Sequence, residues 1–144
     1  MRYALSAVLG ITLVACSSAP TVPIRAGDVC HRCGRVITDP KLGVQLITTE
    51  GQAQTFRTPA CLAKYLQDHK GGVKAIYVTD YPSGRMLPVT GAMFVRATID
   101  EQTGERDFFA YRSVGDAAAR ARDEFSAVVD WSTVRAVVAA AKKG

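Results

Sequence analysis

Histidine is scarce in this chain. His31 and His69 are the two present among 144 residues, and they stand at no spacing that makes a proton relay or a metallohydrolase site. Asp80 and Asp116 sit where a turn and a helix start use an acid, so no catalytic constellation is left and the chain does not read as an enzyme. Thioethers are nearly as rare: Met86 and Met93 are the methionines beyond Met1. The charge lacks a stripe. Arg57, Lys64, Arg85, Arg96, Arg120 and Arg122 are scattered, the net charge is only +5, and no nucleic-acid motif accompanies it, which excludes a nucleic-acid partner. No apolar run is long enough for a comfortable membrane span.

What is there begins with a targeting signal. Met1-Arg2 supplies a positive start, "YALSAVLGITLV" an apolar region, and "LVAC" resembles a bacterial lipobox ending at Cys16. The expectation is a signal peptide over 1–15 and lipid on Cys16, leaving a net charge of +4 once Arg2 is removed. The lipid places the protein on the periplasmic side of a bacterial membrane, and Ser17 after the cysteine favours the outer membrane. "SSAPTVPIRAG" is small, polar and Pro-containing, so residues 16–27 read as a flexible tether.

Residues 28–144 then read as one domain of two similar halves. "LGVQLITT" alternates Leu42, Val44 and Leu46 and reads as a strand, and after the turn "GQ" the segment "AQTF" returns as a second strand. "TPACLAKYLQDHKGG" is a helix capped by Thr58, opened by Pro59 and ended by Gly71-Gly72. "VKAIYVTD" follows as a strand. The order recurs after the loop "DYPSGRMLPVT": strands over "GAMFVRATI" and "RDFFAYR", a helix from the cap Ser113, and the short strand "SAVVDW". A last helix over 132–142 carries Val134, Val137, Val138 and Ala141 on one face and ends in Lys142-Lys143. The expected class is α+β: two strand–strand–helix–strand units with antiparallel sheet, about 28–82 and 83–131, plus a C-terminal helix. Phe94, Phe108, Phe109 and Trp131 read as core, as does Met93.

Chemistry concentrates in "DVCHRCGRVITDP". Gly34 follows Cys33 where covalent haem needs histidine, so that use is excluded. With Cys16 lipidated, Cys30, Cys33 and Cys61 remain, and three thiols cannot all pair with one another. Cys61 lies in the first turn of the Thr58 helix, near Arg57. Cys30 and Cys33 lie among Arg25, His31, Arg32 and Arg35. The expectation is a lowered pKa at each thiol. A disulfide, a zinc site completed by His31 or His69, a thiol–disulfide pair, and a soft Cu(I) site all stay open.

The sequence of features has a family likeness. The lipobox and tether are followed by "CHRCGRVI", by Gly51…Thr55-Phe56…Cys61-Leu62…Tyr65-Leu66, by "KAIYVTDYPSG" and by "AMFV". Over residues 28 to 128 this resembles the NosL family, copper-chaperone lipoproteins that serve nitrous oxide reductase. The resemblance implies two related α+β units, Cu(I) as the bound ion, and an apo-metalloenzyme client, nitrous oxide reductase; Zn stays possible from the residues alone. It carries Cys30, Cys33 and Cys61 over as ligands. Two departures matter. Arg35 stands where the family pattern C-x-x-C-x-M-x-I has methionine, and "TIDEQTGERDFFAYRS" holds no methionine. Arginine cannot donate electrons to copper. Either the site is dominated by Cys30, Cys33 and Cys61 with His31 or Met86 as helper, or metal binding has drifted. A periplasmic thiol–disulfide protein and a structural lipoprotein are the competing readings.

Overall fold

The structure is a computed structural model, and it describes residues 21–141. The signal peptide, Cys16, Ser17 and the Lys142-Lys143 tail lie outside the described residues.

Among the described residues, seven strands and three α-helices form two units of one topology. The first contains β1 (Val44–Thr48), β2 (Ala53–Phe56), helix α1 (Pro59–Asp68), β3 (Val73–Thr79) and β4 (Met86–Pro88). The second contains β5 (Met93–Asp100), β6 (Glu105–Tyr111), helix α2 (Val114–Asp123) and β7 (Val128–Val129); helix α3 (Trp131–Ala141) follows. The strand orders are β2-β1-β3-β4 and β6-β5-β7, antiparallel throughout. In both units the strand after the helix returns beside the first strand. The α+β class and the strand–strand–helix–strand repeat are therefore what the chain adopts.

Local chemistry explains the helix starts. Thr58 is extended, its hydroxyl accepts from the Cys61 N–H, and Pro59 spends no backbone donor in the first turn. Ser113 accepts from the Asp116 N–H at α2. Asp130 accepts from the Thr133 N–H, which starts α3 at Trp131, one residue before the sequence reading. Helix α1 stops at Asp68, with His69 as its cap, ahead of Gly71-Gly72.

One core joins the units. Val44, Leu46, Phe56, Val78 and Leu87 of the first sheet meet Leu62, Ala63 and Leu66 of α1, Val134 and Val138 of α3, and Phe94, Phe108 and Ala110 of the second sheet. The opposite face of the second sheet, Val95, Ala97, Phe109 and Tyr111, packs on Ala117 and Ala121 of α2. Because both its faces are covered, β6 reads "FFAY" and does not alternate. Phe94, Phe108 and Phe109 are buried, while Trp131 and Met93 pack at the edges of these clusters.

Three features differ from the sequence expectation. Met86–Pro88 was expected in a loop and instead forms the edge strand β4 on β3, where Pro88 is tolerated at the strand's end. Leu42 lies in a 3₁₀ turn (Pro40–Leu42), not in β1. Within the expected tether, Val22 exchanges backbone hydrogen bonds with the side chain of buried Gln45, and Ile24 lies over Gly43, where a Cβ would meet Ile24 Cδ1 at 2.7 Å. Residues 22–24 thus strap the outer face of the first sheet.

The segment Asp80–Arg85, the turn between β3 and β4, makes contact with the second unit. Burial raises the Asp80 pKa, but the Ser83 hydroxyl, the Arg112 and Ser83 N–H groups and the Arg112 charge outweigh it and hold the carboxyl below its ordinary value. The stabilisation this carboxylate gives is present above the ordinary carboxylate pKa and is lost as pH falls through the lowered folded value. Tyr81 N–H bonds Ala110 O, so the turn ties β3 to β6. Gly84, at φ +70, closes it.

Candidate metal centre

Cys30 and Cys33 sit on a small hairpin. Val29 bridges Val36, Cys30 N–H donates to Arg35 O at 2.9 Å, and Gly34 N–H donates to Cys30 O at 3.0 Å. Gly34 has φ +69, a conformation that glycine reaches without strain, so it is the residue that lets the chain reverse directly after Cys33. His31 N–H donates to Thr55 O at 2.8 Å, and this docks the hairpin on strand β2. Ile37, fully buried, anchors its base. No helix follows the C-x-x-C.

Helix α1 brings the third cysteine to the same place. The sulfurs of Cys30, Cys33 and Cys61 all lie within 4.8 Å of one another, and Cys33 Sγ is 3.8 Å from Cys61 Sγ. All three are free thiols. Among the described residues this is the group of histidine, cysteine or acid side chains that could hold a metal, and it contains sulfur alone. Exposure rises across it: Cys30 is buried, Cys61 partly so, and Cys33 faces solvent.

Electrostatics differ within the cluster. Burial pushes Cys30 up, but the backbone N–H groups of Cys33, Arg57 and Arg32 and the Cys33 thiol outweigh it, and the Cys30 pKa lies below the ordinary thiol value. Cys61 behaves in the opposite way. Burial, then the charges of Cys30 and Cys33, push it up to about 12, against the opposing bond from Thr58. This corrects the expectation of a depressed Cys61 pKa. The helix start is real, but three sulfurs in one place cannot all hold negative charge unless a cation joins them.

The second unit supplies the braces. The Asp107 carboxylate, buried on β6, accepts from the Thr58 hydroxyl at 2.6 Å, the Ala60 N–H at 3.1 Å and the Phe108 N–H at 2.7 Å. Burial pushes its pKa up, and these bonds and Arg57 oppose that. Glu105, two residues before it, takes Arg57 and, at 3.5 Å, Arg35. Glu105 and Asp107 therefore grip both cysteine-bearing segments from outside. Neither was singled out from the sequence. The one available signal was an acid placed directly before the apolar run "FFAY" of β6, and the Asp107 partners in α1 lie 47 to 49 residues away.

The other expected site residues lie elsewhere. The His31 ring packs edge-on against Phe56 and Tyr65, with centroids at 5.7 and 5.5 Å, and its nitrogens are not part of the sulfur cluster. His69 stacks on Tyr65 at 3.9 Å. Met86 lines a hollow of about 450 Å³ with Lys41, Arg85 and Ile24, a hollow that none of the three cysteines lines. Arg35, at the methionine position of the resembled pattern, turns to Glu105.

No protein-family model matches this chain, and no curated protein sequence does either. Among solved structures, the chain is similar to the crystal structure of the copper chaperone NosL from Shewanella denitrificans. The TM-score is 0.66 at 18% identity, over 81% of this chain and 96% of that one. Through this likeness, the two-unit architecture that carries the three-cysteine cluster is shown to be a NosL-like fold.

Proposed function

We propose that this protein is a copper-binding accessory lipoprotein, not an enzyme, that carries Cu(I) on Cys30, Cys33 and Cys61 and delivers it to an apo-metalloenzyme, nitrous oxide reductase. The observation that carries this reading is the all-sulfur cluster with its three sulfurs within 4.8 Å. A site of thiolates alone suits a soft monovalent ion, whereas structural zinc takes four ligands. The copper-chaperone likeness supports the same ion.

Exposure supports delivery. Cys30 is buried and stays with the protein, while exposed Cys33 meets an incoming ligand first. An unsaturated coordination shell lets that ligand enter before the old ones leave. Lipid on Cys16 would hold the domain at the periplasmic face of a membrane, the outer membrane by the Ser17 rule, and raise its concentration near a client at the same surface.

The reading is tested by transfer. The full-length protein, reduced and loaded with Cu(I), is mixed with apo nitrous oxide reductase, and copper in each is measured after separation. The expected result is movement of copper to the enzyme faster than from the same copper held by a small chelator of equal affinity. Copper that stays on the protein, or that moves no faster than from the chelator, would sink it. A thiol–disulfide exchanger is the second reading, favoured by the 3.8 Å between Cys33 and Cys61. It requires disulfide transfer to a model substrate in the absence of copper.

A further inference from the structure

Arg57 precedes the Thr58 cap of α1, between the two cysteine-bearing segments. Its side chain is only 13% exposed. One terminal nitrogen, Nη2, is held by Glu105 Oε1. The Nε–H is buried and has no hydrogen-bond partner. The backbone N–H of the same residue is among the groups that favour the charged form of Cys30, and the Cys61 sulfur is among the groups that act electrostatically on the guanidinium.

A buried, unmet N–H on a cation is costly, and native structures leave few of them. Neutral thiols offer this group no good acceptor. Thiolates do. With the cluster ionised and one monovalent ion bound, three negative charges face one positive charge, and the excess sits in a partly buried place where water compensates poorly.

We infer that Arg57 is the built-in counter-cation of the metal-loaded site, with its unpartnered Nε–H reserved for the thiolate cluster and Glu105 fixing its orientation. This rests on the metal-site reading above and adds a residue that ligates nothing. Its effect depends on the charge of the ion. A divalent ion on the same three thiolates leaves a smaller negative excess, so Arg57 favours Cu(I) over Zn(II) at this site.

The test measures Cu(I) and Zn(II) affinities of the reduced full-length protein by chelator competition, in wild type, Arg57→Gln, Arg57→Lys and Glu105→Gln. Arg57→Gln is expected to lose about tenfold or more in Cu(I) affinity and clearly less for Zn(II). Arg57→Lys restores most of the Cu(I) loss. Glu105→Gln keeps the Oε1 acceptor that orients Arg57 and removes only a negative charge beside an anionic site, so it binds Cu(I) as tightly as wild type or more tightly. A merely structural brace would weaken both ions alike and would make Glu105→Gln weaker too. Arg57→Gln that matches wild type, or that weakens both ions equally, overturns the inference. Should Arg57→Gln not fold, Glu105→Gln decides alone, and weakened Cu(I) binding overturns it. Wild type that fails to bind Cu(I) at all removes the metal-site reading itself, a result distinct from wild type binding with Arg57→Gln equal to it.

Discussion

Cys30→Ala/Cys33→Ala should bind Cu(I) about ten-thousand-fold more weakly than wild type. A structural zinc ion held by four ligands gains roughly 10–16 kcal/mol, or about 3 kcal/mol for each ligand, and the same scale is taken for a thiolate on Cu(I). Loss of two ligands from three therefore costs about 6 kcal/mol, which is about four factors of ten. The arithmetic counts ligands, but the cluster gives it structural content. Cys30 carries a pKa lowered from the ordinary thiol value, whereas the remaining Cys61 would have to lose its proton from a pKa of about 12. Removal of Cys30 and Cys33 lowers that pKa as well, since their charges help to raise it. This recovers a little affinity and is why the estimate stops at four decades. Cys30 also belongs to the main core, so its truncation leaves a small void worth about 1 kcal/mol, and Cys33, exposed, adds nothing to that. Competition with a colorimetric Cu(I) chelator on the reduced full-length variant checks the value. Binding within tenfold of wild type would show that the ion sits elsewhere.

Asp107→Ala should destabilise the fold by about 3–5 kcal/mol, a large share of the 5–15 kcal/mol that domains of this size have. Three donors lose their acceptor at once: the Thr58 hydroxyl, the Ala60 N–H and the Phe108 N–H. Thr58 and Asp107 are buried, so water does not replace what is lost. The damage reaches the site through a short path. Thr58 caps α1, and Cys61 N–H bonds Thr58, so the cap and the third ligand move together. Urea unfolding would show a lower midpoint at an unchanged slope. Asp107→Asn, which keeps one acceptor oxygen, should cost less than alanine. Equal stability of wild type and Asp107→Ala would mean that the β6–α1 clasp carries no weight.

Much of the fold was readable because its signals are local. Thr58-Pro59 and Ser113 mark helix starts by chemistry that acts within three residues, and the apolar residues of "VQLIT" followed by a Gly-containing turn and the returning "AQTF" need no distant partner to read as a hairpin. Strand β4 was not readable: three residues ending in Pro88 show no period, and only the edge of β3 makes them a strand. The strap at residues 22–24 has the composition of a linker and is held by Gln45, a polar residue that the sheet buries. At the site the cysteines themselves were legible as soft ligands, and so was the helix start beneath Cys61. The sign of the Cys61 shift was not, because it is set by burial in the tertiary fold and then by two sulfurs 28 and 31 positions away. Glu105 and Asp107 stayed hidden for the same reason, since an acid's partners across two units leave no trace in spacing. Arg35 is now placed: it occupies the methionine position of the resembled pattern and points to Glu105, which leaves a cluster of sulfur from cysteine alone.

The central claim is that one Cu(I) is held by these three sulfurs together. X-ray absorption at the copper edge of the reduced, Cu(I)-loaded full-length protein counts the neighbours directly. The account predicts three sulfur scatterers and no nitrogen or oxygen ligand in wild type, with two sulfurs in Cys61→Ala. A shell that includes imidazole nitrogen, or a sulfur count that Cys61→Ala leaves unchanged, would contradict it.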